Sequence, residues 1–119
     1  MSLPTRESLL YRALFWAMCL GIFVLAILPS NSSSISFTNA DKILHAMAFA
    51  GLSFISGLAY PLRIFIVAIF LVFLGAAIEV AQGFTPDRSP ELFDFLADSI
   101  GISLGLLAHR SSKHASLKK

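Results

Sequence analysis

The sequence predicts an all-α, integral membrane four-helix bundle, and three observations carry that expectation. Of its 119 residues, 56% are hydrophobic and 13% charged, with a mean hydropathy of +0.78. Soluble domains average about 25% charged residues, so this chain lacks the polar material to cover a water-facing surface. The apolar residues fall into four runs separated by polar or proline-marked breaks. The third run ends in Gly75-Ala76-Ala77-Ile78-Glu79-Val80-Ala81-Gln82-Gly83, which carries a carboxylate where hydrocarbon is the rule. An ionisable group there must face protein or water, because lipid cannot solvate it. Length confines the chain to one domain, with expected spans at about 10–28, 42–60, 63–84 and 91–108 and a basic tail at 109–119.

The first run, Ala13 to Leu28, lies between Arg12 and Pro29, and Leu9, Leu10 and Tyr11 extend it towards the ~20 residues a span needs. Read as a signal peptide it would have Arg6 and Arg12 as its basic start. Ala26-Ile27-Leu28 is a poor cleavage site and further apolar runs follow, so a retained helix is expected. Within it, Cys19 is the only cysteine and can form no internal disulfide; a small packed residue is its plainer reading. Trp16 reads as packing rather than a cofactor contact.

A Ser/Asn-rich loop follows, and Thr38-Asn39-Ala40-Asp41 reads as a capping box opening the second helix, from about Asp41 to Tyr60. Pro61 breaks it. The third helix starts near Arg63 and runs to about Phe84, and so short a link makes helices two and three an antiparallel pair. After Thr85-Pro86-Asp87-Arg88, Ser89 is a good N-cap, Pro90 fits the first helical turn and Glu91 suits its positive dipole end. The fourth helix is expected to stop near Ala108. Arg110 to Lys119 then reads as a poorly ordered basic tail, with His109 and His114 against anionic headgroups. There are no internal repeats, glycine-rich phosphate loops or cysteine metal motifs.

Four spans place both termini and the link between helices two and three on one side. That side collects Arg6, Arg12, Arg63, Arg110, Lys113, Lys118 and Lys119, against Lys42 and Arg88 on the other. The asymmetry predicts that both termini are cytoplasmic. His45, Glu79 and Asp98 then each sit roughly 6–12 Å along their helices from the outer ends. Asp41, His45, Phe49 and Leu52 share a helical stripe, as do Gly75, Ala76, Glu79, Gln82 and Gly83, and Asp94, Asp98, Gly101 and Gly105. Gly101-xxx-Gly105 has the spacing used for tight membrane helix contacts. Helices two to four are therefore expected to form a polar pocket open to the outer side, with helix one leaning on them.

Asp41-Lys42-xx-His45-xxx-Phe49, then Glu79-xx-Gln82, Arg88, Asp94 and Gly101-xxx-Gly105, resembles the VanZ-like family of small bacterial membrane proteins. The resemblance covers roughly Asp41 to Gly105, the last three spans. One departure is Asp98, where the family typically carries Asn; the added negative charge weakens any carry-over of that position's role. The resemblance implies a cell-envelope role linked to glycopeptide (teicoplanin) resistance, without an established molecular activity.

Chemically, His45, Glu79 and Asp98 are the candidate catalytic residues, since burial and like-charge crowding drive carboxylates apart in proton affinity. Asp41, Lys42, Gln82, Arg88 and Asp94 are the candidate substrate-binding residues, with Lys42 and Arg88 suited to an anion. Histidine with carboxylates is also a workable set for a divalent metal, although no spacing marks a known zinc motif; neither metal nor cofactor is assigned. The plainer reading is interhelical glue, with cations neutralising Glu79 and Asp98 and Gln82 bridging helices. Asp41 serves equally as a helix cap. Two function classes follow. One is a protein that binds or modifies an envelope lipid, lipid-linked cell-wall precursor or glycopeptide headgroup. The other is a non-catalytic accessory subunit docking a partner membrane protein. Membrane lipids are expected partners and nucleic acid is not.

Overall fold

The computed structural model describes residues 5–27, 40–84 and 92–117. They form four α-helices and nothing else: α1 (Arg6–Ile27), α2 (Ala40–Ala59), α3 (Ile64–Gly83) and α4 (Leu92–Leu117). Each is long and apolar enough to cross a membrane, the architecture of a multi-pass membrane protein. The expected cap residues Thr38 and Asn39, and Ser89 to Glu91, lie outside the described residues.

Burial runs opposite to that of a water-soluble protein. Asp98 is 1% exposed while Phe73 is 69% exposed, and the outward faces of α1 and α3 carry Leu10, Leu20, Phe65, Ile69 and Val80. That inversion is what a hydrocarbon solvent selects, since apolar side chains need no covering there and charged ones do.

The tightest packing is between α2 and α4, not between α2 and its sequence neighbour α3. Gly101 and Gly105 explain it. A Cβ at Gly101 would run into the carbonyl of Ala46, and one at Gly105 into the Ala50 carbonyl and the Ser53 hydroxyl. Without side chains at these positions the two backbones come into contact, as small-xxx-small spacing allows. The buried hydroxyls on this seam bond within their own helix, Ser53 Oγ donating to the Ala50 carbonyl (3.1 Å) and Ser56 Oγ to that of Ser53 (2.6 Å).

Helix α1 lies against α2 and α3. Phe15 and Cys19 enter the core beside Phe49, Leu52, Leu71, Ile78 and Ile102. Arg12 Nε donates to the Ala59 carbonyl at the end of α2 (3.1 Å), and its guanidinium stacks over the Tyr60 ring at 4.7 Å. A cation at a helix C-terminus satisfies an otherwise orphaned carbonyl and complements the dipole. Trp16 Nε1 donates to the Tyr60 hydroxyl (2.9 Å), inside a cluster that includes Phe15 and Phe70. Thr5 caps α1 by accepting from the Ser8 amide through Oγ1 (3.1 Å), which starts the helix earlier than its apolar run. Between α2 and α3, Pro61 and Leu62 form a turn closed by the Arg63 amide on the Tyr60 carbonyl (3.0 Å).

One expectation is overturned. The basic tail does not begin as a loose segment after Ala108; α4 continues as helix to Leu117. No glycine or proline interrupts this stretch, and Arg110 and Lys113 approach the negative end of the helix dipole, where cations are favoured. His109, read as part of that tail, is instead buried, 7% exposed, against α2.

Candidate functional site

Because α2 and α4 start at the same end of the molecule as α3 finishes, their terminal turns meet. His45 comes from the second turn of α2, Glu79 from the last turns of α3, and Asp94 and Asp98 from the opening turns of α4. One ligand-capable atom from each of His45, Glu79 and Asp98 lies within 4.8 Å of the others. Three segments distant in sequence thus converge on a single cluster.

The shortest link is His45 Nδ1 to Asp98 Oδ1 at 2.8 Å. An ionised carboxylate can only accept, so in that state Nδ1 carries the proton and donates it. The other ring nitrogen, Nε2, faces Asp94 Oδ2 at 4.0 Å, too far for a hydrogen bond. Asp94 Oδ1 in turn lies 3.7 Å from Lys42 Nζ, whose side chain stays partly exposed. The order Asp98–His45–Asp94–Lys42 alternates in sign when the imidazole is protonated.

Local structure makes room for this arrangement. A Cβ at Gly75 on α3 would come 2.9 Å from Asp98 Oδ2, so the missing side chain seats the carboxylate. Asp94 and Asp98 also benefit from the positive end of α4, whereas Glu79 sits near the negative end of α3 and depends more on neighbouring groups. Glu79 is 9% exposed and Asp94 2%.

Of the remaining sequence candidates, Gln82 is buried but engaged elsewhere. Its Nε2 donates to the Ala26 carbonyl of α1 at 3.1 Å, so it ties α3 to α1. Arg88 lies outside the described residues. Asp41 falls in the first turn of α2, and its side chain is likewise outside what the structure describes. The described cluster is therefore Lys42, His45, Glu79, Asp94 and Asp98.

Sequence reasoning missed a second polar position. His109 packs on Gly57, where a Cβ would lie 2.5 Å from the ring, and meets Phe54 edge-on at 5.9 Å between centroids. The signal was present: Gly101, Gly105 and His109 recur every four residues, so the stripe that begins at Asp94 runs on to His109.

Three chemistries are open to the cluster. A carboxylate-oriented imidazole can hold or pass a proton at Nε2. One nitrogen and two carboxylates can coordinate a divalent cation. Lys42 at the rim can receive an anion. Set beside models of known protein families, characterised proteins and solved structures, the chain matches none of them.

Proposed function

We propose that the chain is a VanZ-like protein of the bacterial inner membrane with both termini cytoplasmic. In this reading the cluster of Lys42, His45, Glu79, Asp94 and Asp98 lines a pocket open to the outer side. There it binds the polar headgroup of an envelope lipid or lipid-linked cell-wall precursor. The observation that carries the reading is the convergence of His45, Glu79 and Asp98 from three helices, with their ligand-capable atoms within 4.8 Å. Buried ionisable groups at membrane depth are costly and usually mark a binding or proton-transfer site. Orientation rests on the seven-to-two division of Lys and Arg, and the family reading rests on the ordered motif from Asp41 to Gly105. Lys42 supplies the cation for a phosphate or carboxylate, and the Asp98-oriented His45 supplies a proton donor or acceptor beside it. The short connections leave little room for a large substrate domain, which favours a small headgroup.

The test is lipid identity. Protein taken up in native-lipid discs and analysed by mass spectrometry should carry an enriched phospholipid or polyprenyl-linked species. Lys42→Gln and His45→Gln should lose the enrichment, while Arg6→Gln, on an exposed turn of α1, should keep it. A stoichiometric partner protein with only bulk lipid would replace this reading with that of an accessory subunit. One metal ion per chain would redirect it to a metal-dependent site.

A further inference from the structure

At the other end of the molecule, α4, the Pro61–Leu62 turn and the start of α3 enclose an open cleft of about 640 Å³. Leu62, Phe65, Leu106 and Leu107 form its apolar floor, and His109, Arg110 and Lys113 line its rim; among the described residues no acidic one lines it. Leu62 is 96% exposed and Phe65 85%, so the floor has no cover within the described chain. Arg110 and Lys113 are three residues apart on a helix and therefore neighbours on one face. Along α4 the lining changes from Leu106 and Leu107 to His109, Arg110 and Lys113 within roughly 11 Å of axis, at about 1.5 Å per residue. Hydrocarbon followed by phosphate is the same order, over the same depth, in a phospholipid at the edge of a bilayer.

We infer that this cleft binds one anionic phospholipid, with an acyl chain on Leu62, Phe65 and Leu107 and the phosphodiester against Arg110 and Lys113. The volume suits a small molecule rather than a protein helix, for which ligand pockets of about 300–1,000 Å³ are usual. Basic pockets at helix ends are recognised lipid-headgroup sites. The site is independent of the cluster around His45, Arg110 lying roughly 18 Å along α4 from Asp98 at about 1.5 Å per residue, so either can fail without the other.

The test titrates detergent-solubilised protein with phosphatidylglycerol or phosphatidylcholine of identical acyl chains, read by native mass spectrometry. The first equivalent of phosphatidylglycerol should bind about fivefold or more tightly than phosphatidylcholine. Arg110→Gln and Lys113→Gln should each loosen it by about fivefold, the weight of one cation near an anionic surface. Arg6→Gln, an exposed cation outside the cleft, should leave it unchanged, and inorganic phosphate should not compete. A photoactivatable group on the acyl chain should label the peptides carrying Phe65 or Leu107 in the unmutated protein. Equal affinity for both lipids, an equal loss in Arg6→Gln, or competition by inorganic phosphate would overturn the assignment. So would label landing on α1, or a co-purifying protein that shields the cleft.

Discussion

His45 and His109 sit at opposite ends of the α2–α4 pair, and their burial is made tolerable by different means. His45 lies among carboxylates drawn from two other helices, with Asp98 at 2.8 Å and Lys42 balancing Asp94. His109 has a glycine and an aromatic edge for neighbours, and one of its nitrogens finds no hydrogen bond among the described residues. One end thus buries charge by assembling opposite charges. The other buries a polar ring by clearing space for it. Both depend on the close approach of α2 and α4, which Gly101 and Gly105 permit midway between them.

That dependence ranks the consequences of mutation. The largest loss should follow Gly101→Val or Gly105→Leu, because the added atoms meet backbone of α2 that cannot swing aside. About 3 kcal/mol or more is expected for each, as in severe overpacking, read from unfolding in mixed micelles. Gly21 faces open space on α1, so Gly21→Ala should leave stability level or raise it by up to about 1 kcal/mol. If all three behave alike, the seam is not what holds the two ends together.

Next in size is the charged end. His45→Leu removes the imidazole from the buried Asp98 carboxylate and should destabilise by about 1–3 kcal/mol. His45→Leu with Asp98→Leu should recover part of that, giving a coupling of about 1 kcal/mol in a double-mutant cycle. Zero coupling would mean that the pair contributes nothing beyond its separate parts. At the other end, Gly57→Ala forces the His109 ring to turn and should cost about 1–2 kcal/mol, relieved when His109→Ala is added. Without that relief, Gly57 matters for some reason other than seating His109. The smallest effect belongs to Trp16→Phe. It deletes one hydrogen bond from a half-exposed side chain and should cost about 0.5 kcal/mol, visible as a slight loosening of α1.

Much of this is legible in the sequence. Four spans follow from hydropathy and breaks, and the shared depth of His45, Glu79 and Asp98 follows from counting residues inward from the outer helix ends. The stripe Asp94, Asp98, Gly101, Gly105 pointed to a close-packed face, as the structure has it. Pairing was less legible. A short link makes α2 and α3 an antiparallel pair, and they are in contact, but the glycines of α4 make α4 the nearer neighbour of α2, because approach distance rather than connection length sets membrane helix contact. The end of α4 is not legible in hydropathy, which falls at Arg110 where apolar character ends but the helix does not. Backbone propensity continues past that point, since nothing from Ser111 to Leu117 breaks a helix. His109 is hidden for the same reason: it reads with the charges that follow it, although it continues the stripe that precedes it.

Convergence of three helices on one polar cluster is the central claim, and solid-state NMR of the protein in lipid bilayers measures it directly. With ¹⁵N in histidine and ¹³C in aspartate and glutamate, the His45 ring nitrogens should show through-space correlations to both the Asp98 carboxyl and the Glu79 carboxyl. The Asp98 correlation should be the stronger, in keeping with the 2.8 Å contact from Nδ1. In Asp98→Leu that signal should vanish while the one to Glu79 persists. A His45 ring correlated with Asp98 alone, with no Glu79 signal in well-ordered samples, would contradict a three-helix site and reduce it to an α2–α4 pair.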